Sequence, residues 1–178
     1  RRLDGRDRPG NGGRPSATET EEAEGLEMTR TALTIRPTTA ADEADWRRMW
    51  TKYLEFYDTT LPEAVYAQTF ARITGRDHPG PYGLMAFQGS TAVGLVNYIF
   101  HRHGWKIEDA CYLQDLYTAP EARGTGVGRA QIEAVDAEAD RMGCPSVYWL
   151  TQEFNYAGRM LYDRVGEKSP FIRYNRPR

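Results

Sequence analysis

Three groups of residues have the types and spacing that chemistry requires. The first is Arg123-Gly124-Thr125-Gly126-Val127-Gly128-Arg129. It follows a stretch that reads as a strand and precedes a helical stripe of Val127, Ile132, Val135, Ala139 and Met142. A helix start presents unpaired backbone N–H groups and the positive end of its dipole. Glycines lack Cβ atoms, so a phosphate can approach that backbone closely, and Arg123 and Arg129 can add charge. The turn therefore reads as a pyrophosphate site. Its spacing is not the dinucleotide fingerprint, because Arg129 stands where Gly is needed, and no Gly-Lys-Ser/Thr follows as in a Walker loop. The second group is Asn155 and Tyr162, seven residues apart on a predicted helix. Seven residues are nearly two turns, so both point to one face. Asn is also a favoured helix cap and Tyr162 can be a core aromatic, which leaves both roles open. The third group is Glu108, Asp109 and Asp115, with Glu153 further on. Alternation along a strand predicts Asp109 and Asp115 on one face, with Glu108 and Gln114 on the other.

Elements to position these groups are legible in the hydrophobic pattern. Residues 32–36 read as a strand ended by Pro37. Trp46, Met49, Trp50, Tyr53, Leu54 and Tyr57 recur at helical spacing, and Thr60-Leu61-Pro62 starts a second helix with Val65, Phe70 and Ile73 behind it. Segments 82–87 and 91–100 read as a hairpin about Gln88-Gly89-Ser90. A further strand is predicted over 105–118, then the glycine turn, a helix ended by Gly143, a strand over 146–150, a helix over 155–165 and a last strand over 170–174. The order β-α-α-β-β-β-α-β-α-β implies an α/β or α+β sheet protein.

The chain has 178 residues with 40% hydrophobic and 27% charged, the make-up of a soluble domain with a core. Residues 1–27 hold five Gly, two Pro and no aromatic residue, so they are expected to be a disordered leader or upstream extension, with one domain over 28–178. That domain carries 18 basic and 18 acidic residues, which disfavours a nucleic-acid partner. The sequence contains no apolar run of about 18 residues to span a membrane. Two cysteines, Cys111 and Cys144, are too few for a disulfide scaffold, and the expected compartment is the cytoplasm. His101-x-His103 near Cys111 does not have zinc-site spacing, so no metal is expected.

Arg123-x-x-Gly126-x-Gly128 matches the Q/R-x-x-G-x-G/A signature of the GNAT superfamily of acetyl-CoA-dependent N-acetyltransferases, in the expected strand-to-helix setting. Asn155 and Tyr162, with Leu161 and Gly166, resemble a second part of that family's pattern. The resemblance covers about residues 31–176. It implies a mixed, mostly antiparallel sheet flanked by helices, with splayed central parallel strands. It implies acetyl-CoA as cosubstrate, its pyrophosphate held at Arg123, Gly124, Thr125, Gly126, Val127, Gly128 and Arg129. It further implies Asn155 on the cofactor arm, a backbone N–H of Leu116 or Tyr117 polarising the thioester carbonyl, and Tyr162 as proton donor to the departing thiolate.

Three stretches narrow the resemblance: Ile35-Arg36-Pro37 with the following Ala-Ala-Asp, Cys111 to Tyr117, and Pro145-Ser146-Val147-Tyr148-Trp149. The last two, with Leu161-Tyr162 and Val165-Gly166, look like fungal histone and polyamine acetyltransferases, and the middle one is also similar to the diamine and thialysine acetyltransferases. The implied acceptor is a primary amine of a polyamine, diamine or lysine-like molecule. The alternatives are a protein lysine and a non-catalytic acetyl-CoA-binding module. Where the diamine enzymes usually have Glu, this chain has Gln114, which takes no proton at neutral pH. Glu108 and Asp115 are then the leading candidates for base or amine-binding group. The related enzymes commonly dimerise through the C-terminal end of the sheet, so a homodimer is expected.

Overall fold

A computed structural model describes residues 32–177, so the expectation for residues 1–27 lies outside the described residues. The chain divides into two units, Arg1–Ala32 and Leu33–Arg178, and the architecture is that of the second. Five strands form one sheet in the order β1-β2-β3-β4-β5. Strand β1 (Leu33–Pro37) pairs antiparallel with β2 (Tyr82–Gln88), which turns at Gly89 into β3 (Thr91–His101). Gly89 supplies the positive φ, 60°, that this tight hairpin needs. Strand β3 pairs antiparallel with β4 (Ala110–Thr118), and β4 pairs in parallel with β5 (Val147–Trp149).

Helices α1 (Glu43–Phe56) and α2 (Glu63–Gly75) cover one face of the sheet. Their apolar stripes bury Trp46, Met49, Trp50, Phe70 and Ile73 against Met85, Leu95 and Tyr117. Helix α3 (Val127–Arg141) covers the other face, setting Ile132, Val135 and Ala139 against Leu84, Val96 and Leu113. Helix α4 (Tyr156–Val165) adds half-buried Leu161, Tyr162 and Val165 to that second core. A forked ion pair fixes the entry to α1: Arg36 donates to Asp42 at 2.7 and 2.8 Å, and Asp42 also accepts from the Thr39 amide.

One extra residue in β4 decides what the sheet presents to each face. Asn97 lies opposite Asp115 and Tyr98 opposite Leu113, so Gln114 has no partner and forms a bulge. A one-residue shift reverses the phase of every side chain beyond it. Leu113 and Leu116 both meet the α3 face, while Tyr117 packs in the α1 core. The simple alternation that put Asp109 and Asp115 on one face is thereby overturned: Asp109 precedes the strand, and the bulge turns Asp115 toward α1.

The structure differs from the sequence pattern at three further places. The strand predicted from residue 105 begins at Ala110, and Trp105 and Ile107 are exposed in the β3–β4 loop, where alternating apolar and charged residues imitate a half-buried strand. The strand predicted over 146–150 is confined to Val147–Trp149. Residues 170–174 are not a strand: no neighbour among the described residues pairs with them, and Phe171, Ile172 and Tyr174 are exposed. The parallel pair β4–β5 therefore ends the sheet instead of lying inside it. Its pairing stops at Leu113 and Trp149 while β4 continues to Thr118, so the strands part there and leave a gap.

Candidate active site

The gap and the bulge create two clefts that touch at one residue. The larger, about 310 Å³, lies on the α1–α2 side and is lined by Trp50, Leu61, Arg72, Asn97, Gln114 and Asp115 among others. The narrower one follows the parting of β4 and β5, between Tyr53, Tyr57, Leu116, Trp149 and Tyr162. Gln114 lines both.

Asp115 is 7% exposed. Its Oδ2 accepts a 3.0 Å hydrogen bond from Asn97 Nδ2, and Asn97 Oδ1 accepts a long one, 3.5 Å, from Trp46 Nε1. The Tyr53 hydroxyl and the Trp50 indole also face this carboxylate, and the Trp50 N–H makes no hydrogen bond of normal length among the described residues. Burial raises the Asp115 pKa, and the hydrogen-bond donors partly counter it. Tyr162 packs against Trp149 with ring centroids 5.6 Å apart. Burial, with a smaller contribution from Tyr57, pushes its pKa up to about 12, so it stays a protonated donor across the neutral range.

Backbone parity settles which amide faces the gap. The Cys111 N–H donates to Ser146 O at 2.8 Å, toward β5. Continuing the β3–β4 ladder through the bulge, Asp115 and Tyr117 form the hydrogen-bonded pairs with Asn97 and Leu95. Leu116 and Thr118 lie between them, and their N–H groups turn to the open side. Of the two amides the sequence left open, Leu116 is the one directed into the gap. Gln131, fully buried, braces this segment: it donates to Tyr117 O at 3.2 Å and accepts from Thr118 Oγ1 at 2.8 Å.

The glycine turn lies beyond the C-terminal end of β4, at the start of α3. Backbone amides from Gly124 to Arg129 have no protein hydrogen-bond partner among the described residues, and the first turn of α3 holds no acidic side chain. Gly124 and Gly126 have φ of 76° and 95°, and a Cβ at either would meet nothing within 4 Å. Such a cradle of open amides fits the pyrophosphate of CoA. Gly128 serves closeness of another kind, since a Cβ there would lie 3.1 Å from Leu161 on α4. Arg123 folds back, its Nε donating to Thr118 O at 3.0 Å, and Thr125 Oγ1 donates to Ala122 O. Arg129 lies 3.8 Å from Glu133 at the surface.

Two sequence candidates are placed differently from the expectation. Glu108 is exposed in the β3–β4 loop, before β4 begins, because the strand it was assigned to starts later; it is not among the residues lining either cleft. Asn155 is the N-cap of α4 instead of a residue within it. Its Oδ1 accepts from Gly158 N at 3.1 Å and its Nδ2 donates to Thr151 Oγ1 at 3.0 Å, so its side chain is used in capping. Tyr53 and Tyr57, one helical turn apart at the end of α1, line the narrow cleft, and Phe56 beside them is exposed. Sequence reasoning did not single out Asn97, Gln131 or Arg72. The signal for the first two is a lone amide side chain inside an apolar pattern, Leu95-Val96-Asn97-Tyr98-Ile99 for one and the buried stripe of α3 for the other.

Comparison with known proteins bears on the family and the fold. The chain is 35% identical over 151 residues to the D-amino-acid N-acetyltransferase HPA3 of Saccharomyces cerevisiae, covering 84% of this chain and 93% of that relative. It is 34% identical over 79 residues to the thialysine N-epsilon-acetyltransferase of Bos taurus, 44% of this chain and 46% of that one. In fold it resembles the aminoglycoside N-acetyltransferase AAC(6')-Iy in complex with CoA, with a TM-score of 0.71 at 18% identity over 83% of this chain and 95% of that one. The acetyltransferase (GNAT) family model matches residues 44–166, most of the described chain. On the match over residues 44–166 and the 35% identity over most of its length, the chain belongs to the GNAT acetyltransferases.

Proposed function

We propose that the chain moves an acetyl group from acetyl-CoA directly to a primary amine of a small molecule of the polyamine, diamine or lysine-like kind. The observation that carries this reading is that Gln114 lines both clefts, so an amine in one and a thioester in the other meet at the bulge.

An alkyl ammonium has a pKa near 10.4, so less than about 0.1% is neutral at pH 7. Asp115 holds the ammonium by charge and accepts its proton, directly or through water. Gln114 beside it can only orient the amine. The nitrogen lone pair attacks the thioester carbon, forming the C–N bond as the C–S bond breaks. Negative charge developing on the carbonyl oxygen is met by the Leu116 N–H. The departing thiolate takes the Tyr162 proton, the nitrogen's second proton, lost as the amide forms, restores the phenol, and the first, accepted at Asp115, is released to water. Open amides from Gly124 to Arg129 hold the pyrophosphate, with Arg129 adding charge. The relatives named for D-amino acids and thialysine favour a small acceptor over a protein lysine.

The reading includes a homodimer, for which a monomeric mass in light scattering is the contrary result. It also includes the cytoplasm, on the ground that both cysteines are unpaired. No helix among the described residues is long and apolar enough to cross a membrane.

The test is CoA thiol release from acetyl-CoA at pH 8 to 9, with spermidine, short diamines, lysine analogues, an aminoglycoside and a histone-tail peptide as acceptors. Release confined to small amines is the expected result. Release with the peptide alone, or with no acceptor, overturns it.

A further inference from the structure

We propose that Arg72 determines acceptor specificity by binding an anionic group, such as the carboxylate of an amino acid, while the acceptor's amine lies at Asp115. The proposal rests on the acetyl-transfer reading and narrows its substrate class. The larger cleft has two charged residues in its lining, Arg72 and Asp115. Its remaining walls are apolar side chains such as Leu61, Val65 and Ile99, with the neutral polar Thr69, Asn97 and Gln114.

Arg72 has no carboxylate within 4.0 Å among the described residues and no side-chain hydrogen bond there. The other arginines on the helices near it are committed: Arg47 pairs with Glu43 and Glu63, and Arg48 with Asp45. Arg76, just past the end of α2, lies 3.8 Å from Glu138. A basic residue in the last turn of a helix is itself favourable toward the helix dipole. That explanation accounts for the charge of Arg72 but not for its place in the same cleft as a buried carboxylate.

The two charges select among amines. A polyamine that set one ammonium at Asp115 would bring a further cation toward the guanidinium, which is repulsive. A lysine-like amino acid with its side-chain amine at Asp115 brings a carboxylate, beside its α-ammonium, toward the guanidinium, and a planar guanidinium matches a carboxylate through two parallel hydrogen bonds. At about 310 Å³ the cleft is at the small end of ligand sites, which span about 300–1,000 Å³. That size suits a free amino acid.

The experiment compares wild type with Arg72→Gln and Arg72→Lys on lysine, lysinamide and cadaverine, measuring kcat and KM for each. Taking the ratio of wild type to variant for each acceptor cancels the acceptor's own basicity. The expected result for Arg72→Gln is a loss in kcat/KM of roughly tenfold to hundredfold for lysine, carried by KM, the size of one charge-assisted contact. Lysinamide should change by less than about threefold and cadaverine should hold or improve, with Arg72→Lys recovering part of the loss on lysine. Equal losses for lysine and lysinamide, or no loss for lysine, overturn the assignment of Arg72 while acetyl transfer stands. Silence of the wild-type enzyme toward all three, and toward the wider amine panel, overturns the acetyl-transfer reading and this proposal with it. Arg72 is exposed, so its variants are expected to fold.

Discussion

Burial holds the Asp115 carboxyl above its ordinary range, and the Asn97 hydrogen bond, with the Tyr53 hydroxyl and Trp50 indole facing the carboxylate, pulls it only part of the way back. A carboxyl whose pKa is higher in the fold than in the unfolded chain lowers stability as pH rises from about 3.8 through the folded value, after which the effect is constant. Asp115→Asn keeps an acceptor for Asn97 and removes the ionisation. Thermal melts at pH 7 are expected to put the variant no lower than wild type, while kcat/KM for the amine falls at least about tenfold at pH 8. A variant with wild-type turnover would remove Asp115 from the chemistry. Tyr162→Phe is expected to lower kcat by roughly tenfold to hundredfold with the acetyl-CoA KM within about twofold, the range usual for general acid catalysis. Both residues were legible from the sequence as chemical types. Their surroundings were not, because the partner that holds Asp115 is Asn97, 18 positions away and one strand across. Glu108 shows the same limit from the other side: an acidic residue beside a strand pattern says nothing of where the strand starts.

Elements set the conditions under which these side chains work. The glycine turn was readable because its geometry is local: positive φ at Gly124 and Gly126 followed by a helix start. Gly126→Val places a side chain in the open space over the amides and forces a left-handed conformation on a branched residue. The expected outcome is loss of acetyl-CoA affinity by about a hundredfold or more in calorimetry, with the helical circular dichroism retained. Unchanged affinity in the folded variant would separate the turn from the pyrophosphate. The bulge at Gln114 was not readable, since an inserted residue leaves no mark on composition and period-2 alternation continues past it in the burial of Leu113, Asp115 and Tyr117. Only the identity of the opposite helix shows that the face has changed. The false strand over 170–174 has a related cause: apolar alternation states what could pair, and pairing needs a neighbour.

Across the whole described unit, the order of elements and both cores were legible from periodicity, which is why family membership follows from residues far apart in the chain. What periodicity does not encode is where two strands cease to pair. That parting has a dynamic consequence. Along β4 beyond Leu113, alternate amides face a neighbour and a void: Asp115 and Tyr117 are bonded to β3, while Leu116 and Thr118 are not bonded across to β5. In deuterium exchange the free protein should therefore show an alternating record along four consecutive residues, slow, fast, slow, fast. Added CoA, whose pantetheine arm carries amide groups of its own, should slow Leu116 and Thr118 and leave their neighbours as they were, so that the ligand reads in solution as the missing stretch of the fifth strand.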